Sequence, residues 1–167
     1  MHLNASALTR RQRGWAMPDR TLPVSATVRR QRAAQLGAAD ESAAALSTLA
    51  YTTVAEISIT SYLDLIEDDE AIQPVNRATV KLHNRDEHCH ASIADEMAAI
   101  VFETLSAGDR RHFLEGLAAG MDAFSSNDFG TWAAILRAEG VVDADRMLAD
   151  TAADDTRRQL VQDYSGI

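Results

Sequence analysis

Apolar residues in this chain recur every three or four positions over most of its length, the spacing that gathers them on one face of an α-helix. The longest such stripe is Val80, His83, Glu87, His90, Ala94, Met97, Val101 and Leu105. It predicts a helix from about Pro74 to Ser106, with Pro74 suited to a first turn and Gly108 just beyond the end. A second stripe, Leu46, Leu49, Thr53, Glu56, Thr60 and Leu63, predicts a helix from about Asp40 to Ile66, with Asp40 and Ser42 as candidate N-caps. The acidic run Glu67-Asp68-Asp69-Glu70 separates the two as a solvated turn.

Shorter helices are expected on either side. One runs from about Val28 to Ala38 and stops near Gly37; another from Asp109 to about Phe124 is followed by the polar loop Ser125–Asp128. Two more are expected near Phe129–Glu139 and Asp143–Asp163, divided by Gly140. Residues 1–26 show no sustained periodicity and contain Pro18 and Pro23, so they read as a basic, partly disordered arm ahead of a helical domain over 27–167. Trp15 and Met17 are the residues that could anchor that arm in a groove.

Composition agrees with helices. Alanine is abundant, aromatics make up 5%, and three prolines are the only ones in 167 residues, so the fold class is all-α. The net charge of −9 argues against nucleic-acid binding, which needs a basic footprint. The charge is uneven: seven arginines against Asp19 give residues 1–32 a net +6, leaving −15 on the rest. Such an arm either binds an acidic partner or lies on its own acidic body. Cys89 is the sole cysteine, so no intrachain disulfide forms and a reducing compartment is expected. No stretch approaches the roughly 18 apolar residues of a membrane span. The Arg10-Arg11 pair has no apolar segment after it, and a cytoplasmic location is expected.

The chemistry lies in the polar members of the two stripes. His83, Glu87 and His90 stand at i, i+4 and i+7 and so share the face meant for the core, and Glu56 does the same on its own helix. Burying such groups without compensation is costly, and a metal ion compensates several at once. Mixed imidazole and carboxylate donors suit iron, manganese or zinc, and a glutamate can bridge two ions. Four-helix di-iron bundles draw one Glu from each of two helices and a Glu-x-x-His from each of the other two. Glu56 would be one such Glu, Glu87 and His90 the Glu-x-x-His, and His83 a third imidazole. A zinc-protease motif is excluded, because Asn84 follows His83 where His-Glu-x-x-His needs Glu. Two alternatives stay open: a metal-free polar network with His83 bonded to Glu56 or Glu87, and a single iron or zinc held by His83, His90 and one carboxylate.

Taken in order, Glu56, His83 and the run Arg85-Asp86-Glu87-His88-Cys89-His90 resemble the C-terminal half of the p-aminobenzoate N-oxygenase (AurF-like) di-iron family. Asp109–Leu114 and Trp132–Leu136 are similar to its later helices, less specifically, so the likeness spans about residues 28–140. The resemblance implies a ferritin-like di-iron helical bundle, O2 activation, and oxygenation of an amine, typically an arylamine. It makes Glu56, His83, Glu87 and His90 ligands of iron. Members of the family carry an earlier Glu helix and an earlier Glu-x-x-His helix, whereas here Glu41 is the only glutamate before Glu56. The bundle thus looks truncated to half of its ligand set. Completion by a homodimer or by a complementary N-terminal-half chain is expected if the protein is an enzyme; otherwise it is an inactive remnant or a non-catalytic helical subunit. The same resemblance names a small amine and O2 as reactants.

Other candidates read as structural. Asp109-x-x-His112 sits at a helix start, where Asp caps free N–H groups. His88 should point away from Glu87. Cys89, Trp132 and Met97 are expected in packing or core positions. Tyr51 and Tyr62 are candidate donors to a bound oxygen species, with nothing to single them out.

Overall fold

The computed structural model describes residues 2–15, 23–126 and 128–153. Among them the regular structure is entirely helical: α1 His2–Arg13, α2 Ala26–Leu36, α3 Glu41–Glu67, α4 Pro74–Thr104, α5 Ala107–Ser125, α6 Phe129–Ala138 and α7 Ala144–Ala153. Most stop and start signals fall where the sequence puts them, but Gly108, expected just beyond α4, lies in the first turn of α5, and α4 ends at Thr104. Gly37 closes α2 with its N–H on the Ala33 carbonyl, Pro74 occupies the first turn of α4, and Asp128 caps α6 by accepting from the Thr131 N–H. The expected extension of the last helix to Asp163 lies partly outside the described residues.

The N-terminal reading needs correction. Residues 2–13 form helix α1, where an irregular arm was expected. Ala5, Leu8 and the Arg10–Arg13 segment are good helix formers, and α1 packs against α4, which supports a helix too short to stand on propensity alone. Trp15 is exposed and lies with its ring 5.3 Å from the Arg13 guanidinium, while Met17 falls outside the described residues.

The helices group into two compact units. One holds α1, the part of α3 from Thr52 onward, and α4. In it Val54, Ser58 and Leu63 of α3 and Asn84, Glu87, Ala94 and Ala98 of α4 are buried. The buried line on α4 is rotated by roughly 40° from the stripe the sequence predicts. Small side chains at Ala94 and Ala98 face inward, and Met97 turns out to 51% exposure, contrary to its expected core position. Cys89 is likewise exposed instead of packed.

The other unit holds α2, α3 up to Tyr51, α5, α6 and α7. Leu46, Ala50, Phe113, Leu117 and Ala123 are buried in its core. Gly116 lets α5 approach α3 so closely that a Cβ there would lie 2.8 Å from the Ala50 Cβ, too near for any side chain. Arg30 of α2 pairs with Asp122 of α5 at 2.9 Å, and Arg137 of α6 with Asp145 of α7 at 2.5 Å. Trp132, expected in the core, is 57% exposed. No helix of the described residues is long and apolar enough to cross a membrane.

Candidate metal centre

All four residues singled out in the sequence belong to the α3–α4 unit. Glu56 projects from the middle of α3, and His83, Glu87 and His90 occupy successive turns of α4. Glu87 is the centre of the arrangement and is only 8% exposed. Its Oε1 lies 2.5 Å from His83 Nε2 and its Oε2 lies 3.4 Å from His90 Nδ1. One carboxylate thus presents each oxygen to a different imidazole. His90 Nδ1 is also 3.7 Å from Glu56 Oε2, which ties α4 back to α3.

Glu56, Glu87 and His90 each offer a donor atom within 4.8 Å of the others, a separation a metal ion can span. His83 lies outside this trio, against the far oxygen of Glu87. The donor set therefore fits a metal: two carboxylates and an imidazole converge, and a second imidazole waits on the outer edge of the shared carboxylate. The same geometry contains the contact foreseen by the polar-network alternative, His83 on Glu87.

Electrostatics point the same way. Burial pushes the Glu56 carboxyl above its ordinary value of 4.5, the negative charge of Glu87 and a hydrogen bond with Glu87 push it further, and His90 and His83 oppose. Without a cation Glu56 therefore holds its proton to higher pH than an ordinary carboxylate does. The folded metal-free chain thus holds a proton on Glu56 that the unfolded chain releases above about pH 4.5. Its stability must fall as pH rises from there through the raised folded value. Glu56→Gln should remove that loss, so its advantage over the wild type in urea should widen from pH 4.5 toward neutrality. A pH-independent difference would contradict the raised Glu56 carboxyl.

The sequence reading missed Asn84. It is 2% exposed, and its amide donates to Asp64 Oδ1 at 2.7 Å and to Glu67 Oε2 at 2.9 Å. Its own Oδ1 is buried and has no hydrogen-bond partner among the described residues. Asn84 thus holds the end of α3 to α4 one residue along from His83. A signal existed, since Asp64 and Glu67 stand three apart and so on one face of α3, but nothing in the sequence aims that face at Asn84. His88 points away from Glu87, exposed, with its Nε2 3.9 Å from Asp64 Oδ1. His112 pairs with Glu115 at 3.5 Å on α5. Tyr51 belongs to the other unit, where burial is the main cause that pushes its hydroxyl above the ordinary phenol value.

Among the described residues the structure is all-helical, and two of its helices bring together two glutamates and two histidines, three of them close enough to hold a metal ion, which defines a class of helical proteins with a candidate metal centre. The particular family is given by comparison with known proteins. The profile described as "P-aminobenzoate N-oxygenase AurF" matches residues 1–167. A 4-aminobenzoate N-oxygenase of Streptomyces thioluteus is 30% identical over 121 residues, which is 72% of this chain. The chain belongs to the AurF family. The match extends over more of the sequence than the motifs alone suggest, since it includes residues 1–27 and 141–167. It covers only 36% of the Streptomyces protein's length.

Proposed function

We propose that Glu56, His83, Glu87 and His90 form half of a carboxylate-bridged di-iron centre, and that the assembled protein oxidises an amine nitrogen with O2. The observation that carries this reading is Glu87, whose two oxygens lie one beside each imidazole, so that it and both histidines would be in place to hold metal. Family membership and the name of the Streptomyces relative supply the reaction class, N-oxygenation of an arylamine such as 4-aminobenzoate.

Bound iron would supply the electrons that activate O2. Everything else falls to the chain. Glu87 would give up its contacts with His83 and His90 to bind a metal, and Glu56 would lose the proton that burial and the neighbouring charge help it keep. His90, half exposed, stands where the site opens. His83 would hold the outer metal position, its ring fixed by its place one turn before Glu87. The second Glu and Glu-x-x-His required for two irons would come from a second copy or from a complementary polypeptide.

A second reading, one metal ion held by Glu56, Glu87 and His90, is favoured by the mutual reach of those three donors. The test is anaerobic loading with Fe(II), measurement of solution mass, and then exposure to O2 with 4-aminobenzoate. N-oxidised product from the assembled species, with a coupled iron pair in magnetic resonance, is the expected outcome. Iron uptake with a mononuclear nitrosyl signal would establish the second reading. A well-folded assembly that binds iron and leaves the amine untouched would contradict the enzymatic reading and favour a non-catalytic subunit.

A further inference from the structure

We propose that Asp64, Glu67 and Asn84 bind a hard divalent cation, magnesium or calcium, where the C-terminal end of α3 meets the first half of α4. This site is separate from the candidate iron centre and requires neither iron nor a second chain. Asp64 and Glu67 stand eight and eleven residues beyond Glu56, about 12–17 Å along α3.

Asp64 and Glu67 lie three apart on one face of α3, and each aims an oxygen at the same atom of α4. Asn84 Nδ2 donates to Asp64 Oδ1 at 2.7 Å and to Glu67 Oε2 at 2.9 Å. A neutral amide bridges the two carboxylates but cancels none of their charge. Among the described residues neither carboxylate is paired with a lysine or an arginine. His88 Nε2, 3.9 Å from Asp64 Oδ1, is the one basic group within ion-pair range of them. Two converging negative charges without a fixed counter-charge favour a cation, and carboxylate and amide oxygens are the donors that calcium and magnesium take.

The other end of the amide points the same way. Asn84 is 2% exposed, and its Oδ1 is buried with no hydrogen-bond partner among the described residues. A buried carbonyl without a donor costs stability. The torsion of an asparagine amide is broad and roughly two-fold, so turning the group over exchanges Oδ1 and Nδ2 at little torsional cost. One buried amide atom lacks a partner in either orientation. The turn therefore forfeits only the two bonds to the carboxylates, and a cation replaces both. Once turned, Oδ1 takes the place of Nδ2, near 2.7 Å from Asp64 Oδ1 and 2.9 Å from Glu67 Oε2. Neighbouring ligands of an octahedral ion with bonds of about 2.0–2.1 Å stand about 2.9 Å apart, and those in the more crowded calcium shell are similar. Oxygens at such separations repel one another without an ion and form part of its shell with one. Glu67 also borders an open hollow of about 490 Å³ lined in part by Asp68 and Glu70. That hollow admits the waters that magnesium keeps when it binds through one or two carboxylates.

Titration of the metal-free full-length chain with MgCl2, and in a second arm with CaCl2, followed by proton–nitrogen NMR, tests this. The Asn84 side-chain amide and the backbone amides around it should shift to saturation, with a dissociation constant on the order of 10⁻³ M. Asp64→Asn and Glu67→Gln should each weaken binding about tenfold. Asn84→Asp, which supplies a charged oxygen without any turn, should tighten it about tenfold. That variant should also lose stability in EDTA and regain it at saturating cation, a rescue that a purely structural amide does not produce. Glu87→Ala, which removes the centre of the other cluster, should bind as the wild type does. Circular dichroism verifies the fold of each variant, and the wild-type titration depends on none of them. Saturation by either cation with this pattern of variants supports the site. No saturable shift up to about 20 mM of either cation overturns it. So does binding that survives Asp64→Asn and Glu67→Gln unchanged, or that is lost in Glu87→Ala alone.

Discussion

Replacing Glu87 by alanine is expected to abolish ferrous-ion uptake while leaving the helices intact. Glu87 touches both histidines of the cluster, and it is hydrogen-bonded to Glu56. Without it Glu56 and His90 remain as two donors, and His83 has lost the carboxylate that links it to them. Glu87→Gln refines the point. It keeps the shape and one carbonyl oxygen, yet cannot carry negative charge on both oxygens, so affinity should still fall by more than about 100-fold. In the metal-free state the change is mild, because deleting Glu87 also removes the like charge that raises Glu56. Metal analysis after anaerobic dialysis measures uptake, and circular dichroism shows that the fold survives. Uptake equal to the wild type in Glu87→Ala would mean these residues hold no metal.

The largest effect on stability is expected at Asn84. Its amide is the donor between Asp64 and Glu67, and it is almost fully buried. Asn84→Asp exchanges that donor for an acceptor and brings three carboxylates together at hydrogen-bond distance. Each lost bond to a charged acceptor is worth about 1.5–3 kcal/mol, discounted here because Asp64 is exposed and partly screened. A net loss of about 3 kcal/mol lowers the melting temperature by roughly 6–12 °C in a chain of this size. The deficit should shrink on acidification, since protonating the introduced carboxyl restores one donor. Asn84→Ala, which adds no charge, should cost about 1–3 kcal/mol. Melting curves of both variants at pH 5 and pH 8 test this. An aspartate variant as stable as the wild type at pH 8 would show that the amide does not hold α3 to α4.

Helix positions were legible because their signals are local. Gly37, Pro74 and Asp128 act within a turn of where they stand, and a period of three or four residues needs no partner to be seen. The candidate-site residues were legible for a related reason: His83, Glu87 and His90 share one helix, so their common face is fixed by spacing. What could not be read was which helix covers which face. The stripe through His83, Met97 and Leu105 looked like the core line, yet Ala94 and Ala98 admit closer packing and turn the helix by roughly 40°. Met97 is exposed as a result, whereas Cys89 lies opposite the core on either line. Asn84 was passed over because its partners, Asp64 and Glu67, are on another helix. Helix α1 was missed because it has helix-forming residues but no apolar period.

The central claim is that two carboxylates and two imidazoles on α3 and α4 make half of an iron centre. Iron per chain, measured together with solution mass after anaerobic loading, tests it most directly. The account predicts about one iron per chain in a dimer of two irons. A folded chain that retains no iron, at any state of assembly, would contradict it.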